Sequence, residues 1–101
     1  MNIKIKGKDV ELKYTFNSFN NMEDFDINEL TEIESKPFKM VRITETLLMG
    51  AVNNNPKIKF THDDVVDFLE EYVIENSISK LIEELINLLQ DSNFFKSLQN
   101  Q

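Results

Sequence analysis

An α+β fold, an N-terminal β-hairpin followed by about four α-helices, is predicted by three features of this 101-residue chain. Residues 2–6 and 9–14 alternate apolar and polar side chains with the period of a strand. From residue 37 onward, apolar residues recur at the three- and four-residue spacing of helices. Two glycines and two prolines are too few for a loop-rich architecture, and there is no internal repeat and no Gly/Ser-rich linker. One domain is expected over residues 1–101, with the hairpin in 2–14 and the helical part in 15–101. Hydrophobic residues make up 41% and charged residues 29%, ordinary globular usage that can fill a small core.

In the hairpin, Ile3 and Ile5 share one face and Lys4 and Lys6 the other. Gly7-Lys8 between the strands has glycine first, as in a type II′ turn. Pairing through that turn sets Ile5 opposite Val10 and Ile3 opposite Leu12. It also sets Lys6 opposite Asp9 and Lys4 opposite Glu11, so that one face is apolar and the other carries two opposite-charge pairs. An isolated hairpin is marginal in water, and the apolar face must therefore pack on helices or another sheet.

After Tyr14 the alternation ends. Asn17 is a candidate N-cap for a short helix to about Glu23, with Phe16, Phe19 and Met22 spaced along it. Residues 24–36 read either as one or two helical turns, Asp26 and Glu29 resembling a capping box, or as an acidic loop. Ser35 and Pro37 open a helix to Val52. Phe38, Val41, Glu45, Leu48 and Val52 lie on one side of it, and Met40, Ile43, Leu47 and Ala51 widen its apolar arc, which predicts a central helix. Asn53-Asn54-Asn55-Pro56 stops it, and Lys57–Phe60 is extended, docking Ile58 and Phe60. Thr61 caps the next helix, with an acid three residues on and Val65, Phe68, Leu69, Tyr72 and Val73 expected inside. Ser77 caps the last, whose broad apolar face runs through Ile78, Leu81, Ile82, Leu85, Ile86, Leu88 and Leu89. Phe94, Phe95 and Leu98 follow it near the chain end, where segments fray unless tied down.

Several chemistries lack their residues. There is no cysteine, hence no disulfide, thiolate ligand or thiol nucleophile. The one histidine, His62, stands in His62-Asp63-Asp64-x-x-Asp67. Asp63 and Asp67 are a helical turn apart, but acids in a first turn are accounted for by the helix dipole, and no further ligands complete a cation cage. No Gly-rich phosphate loop or nucleophile elbow is present, and Glu70-Glu71 and Glu83-Glu84 are neighbours on solvated faces. Neither an enzyme nor a cofactor is expected. The net charge of −7 disfavours nucleic-acid binding. No apolar run is long enough to span a membrane, and the first residues lack the apolar stretch of a signal peptide, so a cytoplasmic location is expected.

What remains is surface. Phe25 and Ile27 sit among acids, and Phe95 and Leu98 follow the last helix. Each either clamps onto the domain's own core or completes an interface with another polypeptide. These four are the candidate partner-binding residues, the core reading being favoured for Phe25 and for Phe94.

Taken in order, these features resemble the tail assembly chaperones of long-tailed phages and prophages of low-GC bacteria. The resemblance runs nearly end to end. It comprises the Ile3–Phe16 hairpin segment, the short helix after it, a helix ending Leu47-Leu48-Met49-Gly50-Ala51, the Phe60-Thr61-x-x-Asp64-Val65-Val66-Asp67-Phe68-Leu69 element, and the Glu83-Glu84-Leu85 helix closing on Asp91-Ser92-Asn93-Phe94-Phe95. Asn, Ile and Lys total 32 residues and Lys outnumbers Arg ten to one, a bias that A/T-rich codons produce. In one respect the chain departs from the family pattern, residues 24–36 being longer and more acidic than a simple helix connection. The resemblance implies a non-enzymatic protein of the host cytoplasm, absent from the finished virion. Such a protein coats the helical tape measure protein, helps recruit tail tube subunits and self-assembles into rings or spirals. Many family members are also made in a longer, frameshifted form. A second reading of the acidic surface is a small adaptor or inhibitor, antitoxin- or anti-repressor-like, that masks a basic protein.

Overall fold

The computed structural model describes the backbone of residues 1–22 and 37–99. Strands β1 (Asn2–Ile5) and β2 (Lys8–Glu11) form a two-stranded antiparallel sheet. Helices α1 (Phe16–Asn20), α2 (Pro37–Val52), α3 (His62–Glu75), α4 (Ile78–Gln90) and α5 (Asn93–Gln99) follow. The expected hairpin-then-helices order is therefore present, with one short helix more than anticipated. The two readings of residues 24–36 lie outside the described residues.

The hairpin buries the expected face and uses a different register. Ile3, Ile5, Val10 and Leu12 all belong to the core. The turn, however, is centred on Lys6-Gly7 and not on Gly7-Lys8. Lys6 has φ 52° and Gly7 φ 75°, the two positive values of a type I′ turn, whose twist matches that of the strands. Ile5 therefore faces Lys8, and Ile3 faces Val10. Each β1 residue meets a partner two positions earlier than expected. Side-chain direction repeats every two residues, so this shift leaves the buried set untouched and changes only who sits opposite whom. Lys4 faces Asp9, Asn2 faces Glu11, and Lys6 is released to the tip.

Helix α1 starts two residues earlier than an Asn17 cap would set it. Thr15 is the N-cap: its Oγ1 accepts from the Ser18 N–H (3.3 Å), and Ser18 Oγ accepts from the Thr15 N–H (2.9 Å). This reciprocal box places Phe16 at the first helical position, 73% exposed, and buries Met22. Met22 lies against Gly50 of α2. A Cβ built at Gly50 would overlap Met22 Sδ and Cγ and stand 3.2 Å from the Ser18 carbonyl, so the absence of a side chain there is what lets α1 seat on α2.

Helix α2 is central, as its wide arc predicts. Ile43, Leu47, Leu48, Ala51 and Val52 are buried beneath α1, α3 and α4, in one core with the inward face of the hairpin. Its first turns are not. Phe38 is 92% exposed and Val41 48% exposed, against the expectation that they share the buried side. Among the described residues the buried positions of α2 begin at Ile43, and before it Met40 is half-buried, its Sδ 3.9 Å from Ser79 Oγ of α4. In α3 the Thr61 cap and its box with Asp64 form as expected, with Val65 and Leu69 buried. Phe68 and Tyr72 are half-buried and packed on the core, while Val73 is 45% exposed rather than inside. In α4, capped by Ser77, Leu81, Ile82, Leu85 and Leu89 are buried. Helix α5 is tied down by Ser92, whose Oγ donates to the Leu89 carbonyl (2.7 Å) and accepts from the Phe95 N–H (3.2 Å).

The segment after α2 forms no strand. Instead it is stitched by asparagine amides. Asn53, 2% exposed, donates from Nδ2 to the carbonyls of Met49 (2.9 Å) and Phe60 (3.1 Å). Its Oδ1 accepts from the Phe60 N–H (2.7 Å). The side chain thus plays the part of a neighbouring strand for Phe60. Asn54 donates to the carbonyls of Ala51 (2.8 Å) and Glu11 (2.9 Å), joining the helix end to β2. Backbone carbonyls of the same pair receive Asn17 Nδ2 (2.9 Å) and Thr15 Oγ1 (2.8 Å). One turn therefore clamps the hairpin, α1, α2 and the Phe60 segment.

Candidate interaction surface

The described residues carry two features that a binding protein can use: an apolar groove between α2 and α3, and the charged surfaces around it. On α2, Phe38, Val41 and Glu45 stand at three- and four-residue spacing and so project from one side. On α3, Val66, Leu69 and Val73 project toward them, and Ile78 closes one end from α4. Val41, Val66, Leu69, Val73 and Ile78 line a groove of about 200 Å³, flanked by Glu45 and Glu70, and Phe38 stands one turn before Val41, outside that lining. Ile74, 79% exposed, continues the apolar surface of α3 beyond it. Single exposed apolar side chains are commonplace. Phe38, Val41, Val73 and Ile74 on two adjoining helices form a grouping of the kind that marks a docking face.

The walls of the groove are set by polar links between helices and hairpin. His62 Nε2 lies 3.2 Å from Glu45 Oε2, joining the start of α3 to the middle of α2. At the same helix start, the two oxygens of Asp64 are used separately. Oδ2 accepts from the Thr61 N–H (2.9 Å), and Oδ1 meets Lys6 Nζ at 3.0 Å. These contacts hold the Asp64 carboxyl below the usual aspartate range, the Thr61 N–H contributing most and the Lys6 ammonium next. The tip of the hairpin is thereby pinned to α3, which explains where the Lys6 charge goes once the register has released it from Asp9. Below the groove, Tyr14 donates from its hydroxyl to the Leu47 carbonyl (2.9 Å). Burial pushes its phenol far above the ordinary tyrosine value.

The acids Asp63, Asp67, Glu70 and Glu71 of α3 are all exposed, a solvated acidic face beside the apolar groove. Among the described residues no group of three or more potential ligands is placed to hold a metal ion. Of His62-Asp63-Asp64, two members are engaged with Glu45 and with Lys6 and Thr61 instead. Among the described residues no helix is long and apolar enough to cross a membrane.

Of the four residues singled out from sequence, the structure describes the side chain of one. Phe95 is half-buried and packs on the core from α5. Leu98 lies on α5, but its side chain, like that of Phe94, is outside the described set, as are Phe25 and Ile27 altogether. The exposed apolar residues that sequence reading missed are Phe38, Val41, Val73 and Ile74. Periodicity alone puts the first three on buried faces, because it tells which residues share a side of a helix and not how far along the helix that side is covered. A usable signal was present in α2: its apolar arc is wider than one packing partner needs.

No protein-family model, curated protein or solved structure matches this chain.

Proposed function

We propose that this protein is a tail assembly chaperone of a long-tailed phage or prophage. It works in the host cytoplasm, binds the tape measure protein, helps gather tail tube subunits around it and is absent from the finished virion. It acts by protein–protein contact, without catalysis, and associates with copies of itself. The observation that supports this reading is the α2–α3 groove lined by the half-exposed Val41 and Val73, with Phe38 and Ile74 exposed on the same two helices. A groove between two helices accepts the apolar face of a third, the way an amphipathic helix is commonly recognised. A tape measure protein is a long helical rod that offers such faces repeatedly.

The test is co-purification with a phage tape measure protein, using the unaltered chain and a Val41→Glu/Val73→Glu variant. Both positions are about half exposed, so folding should persist, and a charge placed in the groove should remove capture. Retention of full binding by the variant, or no capture by the unaltered chain, rejects the proposal. The exposed acids of α3 favour a second reading, an adaptor that covers a basic protein. In that case binding would fall steeply with added salt and vanish on neutralising Asp63, Asp67, Glu70 and Glu71 to their amides, while the groove variant would bind normally.

A further inference from the structure

The hairpin has an edge that its own fold uses only in part. The Leu12 N–H bonds the Met1 carbonyl at 2.8 Å, which fixes the phase of the ladder. With the observed register, Ile3–Val10 and Ile5–Lys8 are the pairs that exchange backbone hydrogen bonds, and Asp9 and Glu11 direct theirs to the opposite, outer edge of β2. Two contacts agree with that phase. Glu11's carbonyl accepts from Asn54 Nδ2, and the Lys13 N–H reaches the Ala51 carbonyl at 3.4 Å. The Asn53–Asn54 turn thus covers only the far end of the edge. The Asp9 N–H, the Asp9 carbonyl and the Glu11 N–H remain in line and open.

That open stretch forms one wall of a groove of about 410 Å³, and Asn55–Phe60 forms the other. The second wall keeps its distance because Asn55 turns the chain on itself: its Oδ1 accepts from the Lys57 N–H and its carbonyl from the Ile58 N–H, both at 2.9 Å. Lys8 and Lys13 lie on the strand wall, and Lys57 and Lys59 on the loop wall. Asp9 and Glu11 are the acids among the lining residues, so the groove is net positive in a protein of net charge −7. Among the described residues no salt bridge engages any of the four lysines.

We propose that this groove binds an extended, acidic peptide segment of a partner protein. The segment adds to β2 as a third strand through the Asp9 and Glu11 backbone groups, and its carboxylates are met by Lys8, Lys13, Lys57 and Lys59. Strand addition supplies sequence-tolerant main-chain bonds, and the lysines select for charge. The site is separate from the α2–α3 groove and does not depend on what that groove holds.

The test is fluorescence anisotropy of a labelled peptide of about eight residues alternating glutamate and valine, a length typical of strand addition. Saturable binding is expected. It should weaken by about tenfold or more in a Lys57→Glu/Lys59→Glu protein and on raising salt from about 0.05 to 0.5 M. N-methylation of alternate peptide nitrogens, which leaves charge unchanged, should cost a similar factor, and bound peptide should protect the Asp9 and Glu11 amides from hydrogen exchange. Both substituted lysines are exposed loop residues, and circular dichroism checks that the variant is folded. The N-methylated peptide tests the same point on the unaltered protein. The proposal is overturned if the peptide does not bind, the lysines then merely guarding an edge against aggregation. Equal binding of a lysine-for-glutamate peptide or of the N-methylated peptide overturns it as well. So does tighter binding of a duplex DNA of similar length, which would make the groove a phosphate-binding surface.

Discussion

Asn53 shows how much one side chain can settle. Read in sequence, Asn53-Asn54-Asn55-Pro56 is a helix stop, which is correct and incomplete. In the fold the Asn53 amide replaces a strand's worth of backbone pairing for Phe60, at 2% exposure. Asn53→Ala would remove the partner of the Phe60 N–H and carbonyl at a half-buried place, and a loss of about 2–4 kcal/mol is expected, three neutral hydrogen bonds being lost with one side chain. Chemical denaturation reads that loss directly. Asp64 makes a different prediction because its carboxyl titrates below the usual range. A carboxyl with a lowered folded value contributes stability that is fully present above the ordinary aspartate value. It loses that contribution as pH falls through the lowered one. The melting-temperature gap between the native protein and Asp64→Asn should therefore hold steady from neutral pH to about pH 4 and narrow below it. A gap that stayed constant down to pH 2 would mean that the Thr61 and Lys6 contacts do not select the charged form.

Among the elements, the α1–α2 contact is the most exacting. Alanine at Gly50 would gain about 1 kcal/mol of helix propensity. It would also force its Cβ against Met22, and overpacking of this kind costs about 1–3 kcal/mol. A net destabilisation of about 1 kcal/mol is expected for Gly50→Ala. In a Met22→Ala background the same change should become neutral or favourable, since the obstructing side chain is gone. A double-mutant cycle by urea unfolding decides it, and strict additivity would remove the packing explanation. The hairpin teaches the complementary lesson. Alternation alone specified Ile3, Ile5, Val10 and Leu12 as the inward face, while both candidate turns kept that face inside. Both are primed turns that suit the strand twist, and what accompanies the observed one is a contact with Asp64, a residue more than fifty positions away, which receives Lys6.

Over the whole molecule, Tyr14 ties the end of the hairpin to the middle of α2 through the Leu47 carbonyl. Its phenol is held neutral by burial, so its contribution is complete below the ordinary tyrosine value and declines as pH rises above it. Tyr14→Phe should cost about 1 kcal/mol at neutral pH through the lost hydrogen bond. Above about pH 10 the gap should shrink, since the variant has no phenol there to ionise on unfolding. In the native protein, phenolate absorbance from Tyr14 should appear only together with loss of the helical circular dichroism signal. Tyr72, also raised by burial and then by Glu84, is half-buried and titrates without that requirement.

From the order of residues alone came the α+β class, the inward face of the hairpin, the Thr61 and Ser77 caps and the central place of α2. Each is a local property: a period of two or 3.6, or an oxygen within reach of an N–H three residues on. Only the assembled chain decided the Lys6-Gly7 turn, the Asn53–Asn54 clamp and the exposure of Phe38, Val41 and Val73. These depend on which element lies across from which, and periodicity describes one helix or strand at a time. The proposed binding surfaces belong to that second group, because a face is available only where, among the described residues, no other element arrives to cover it.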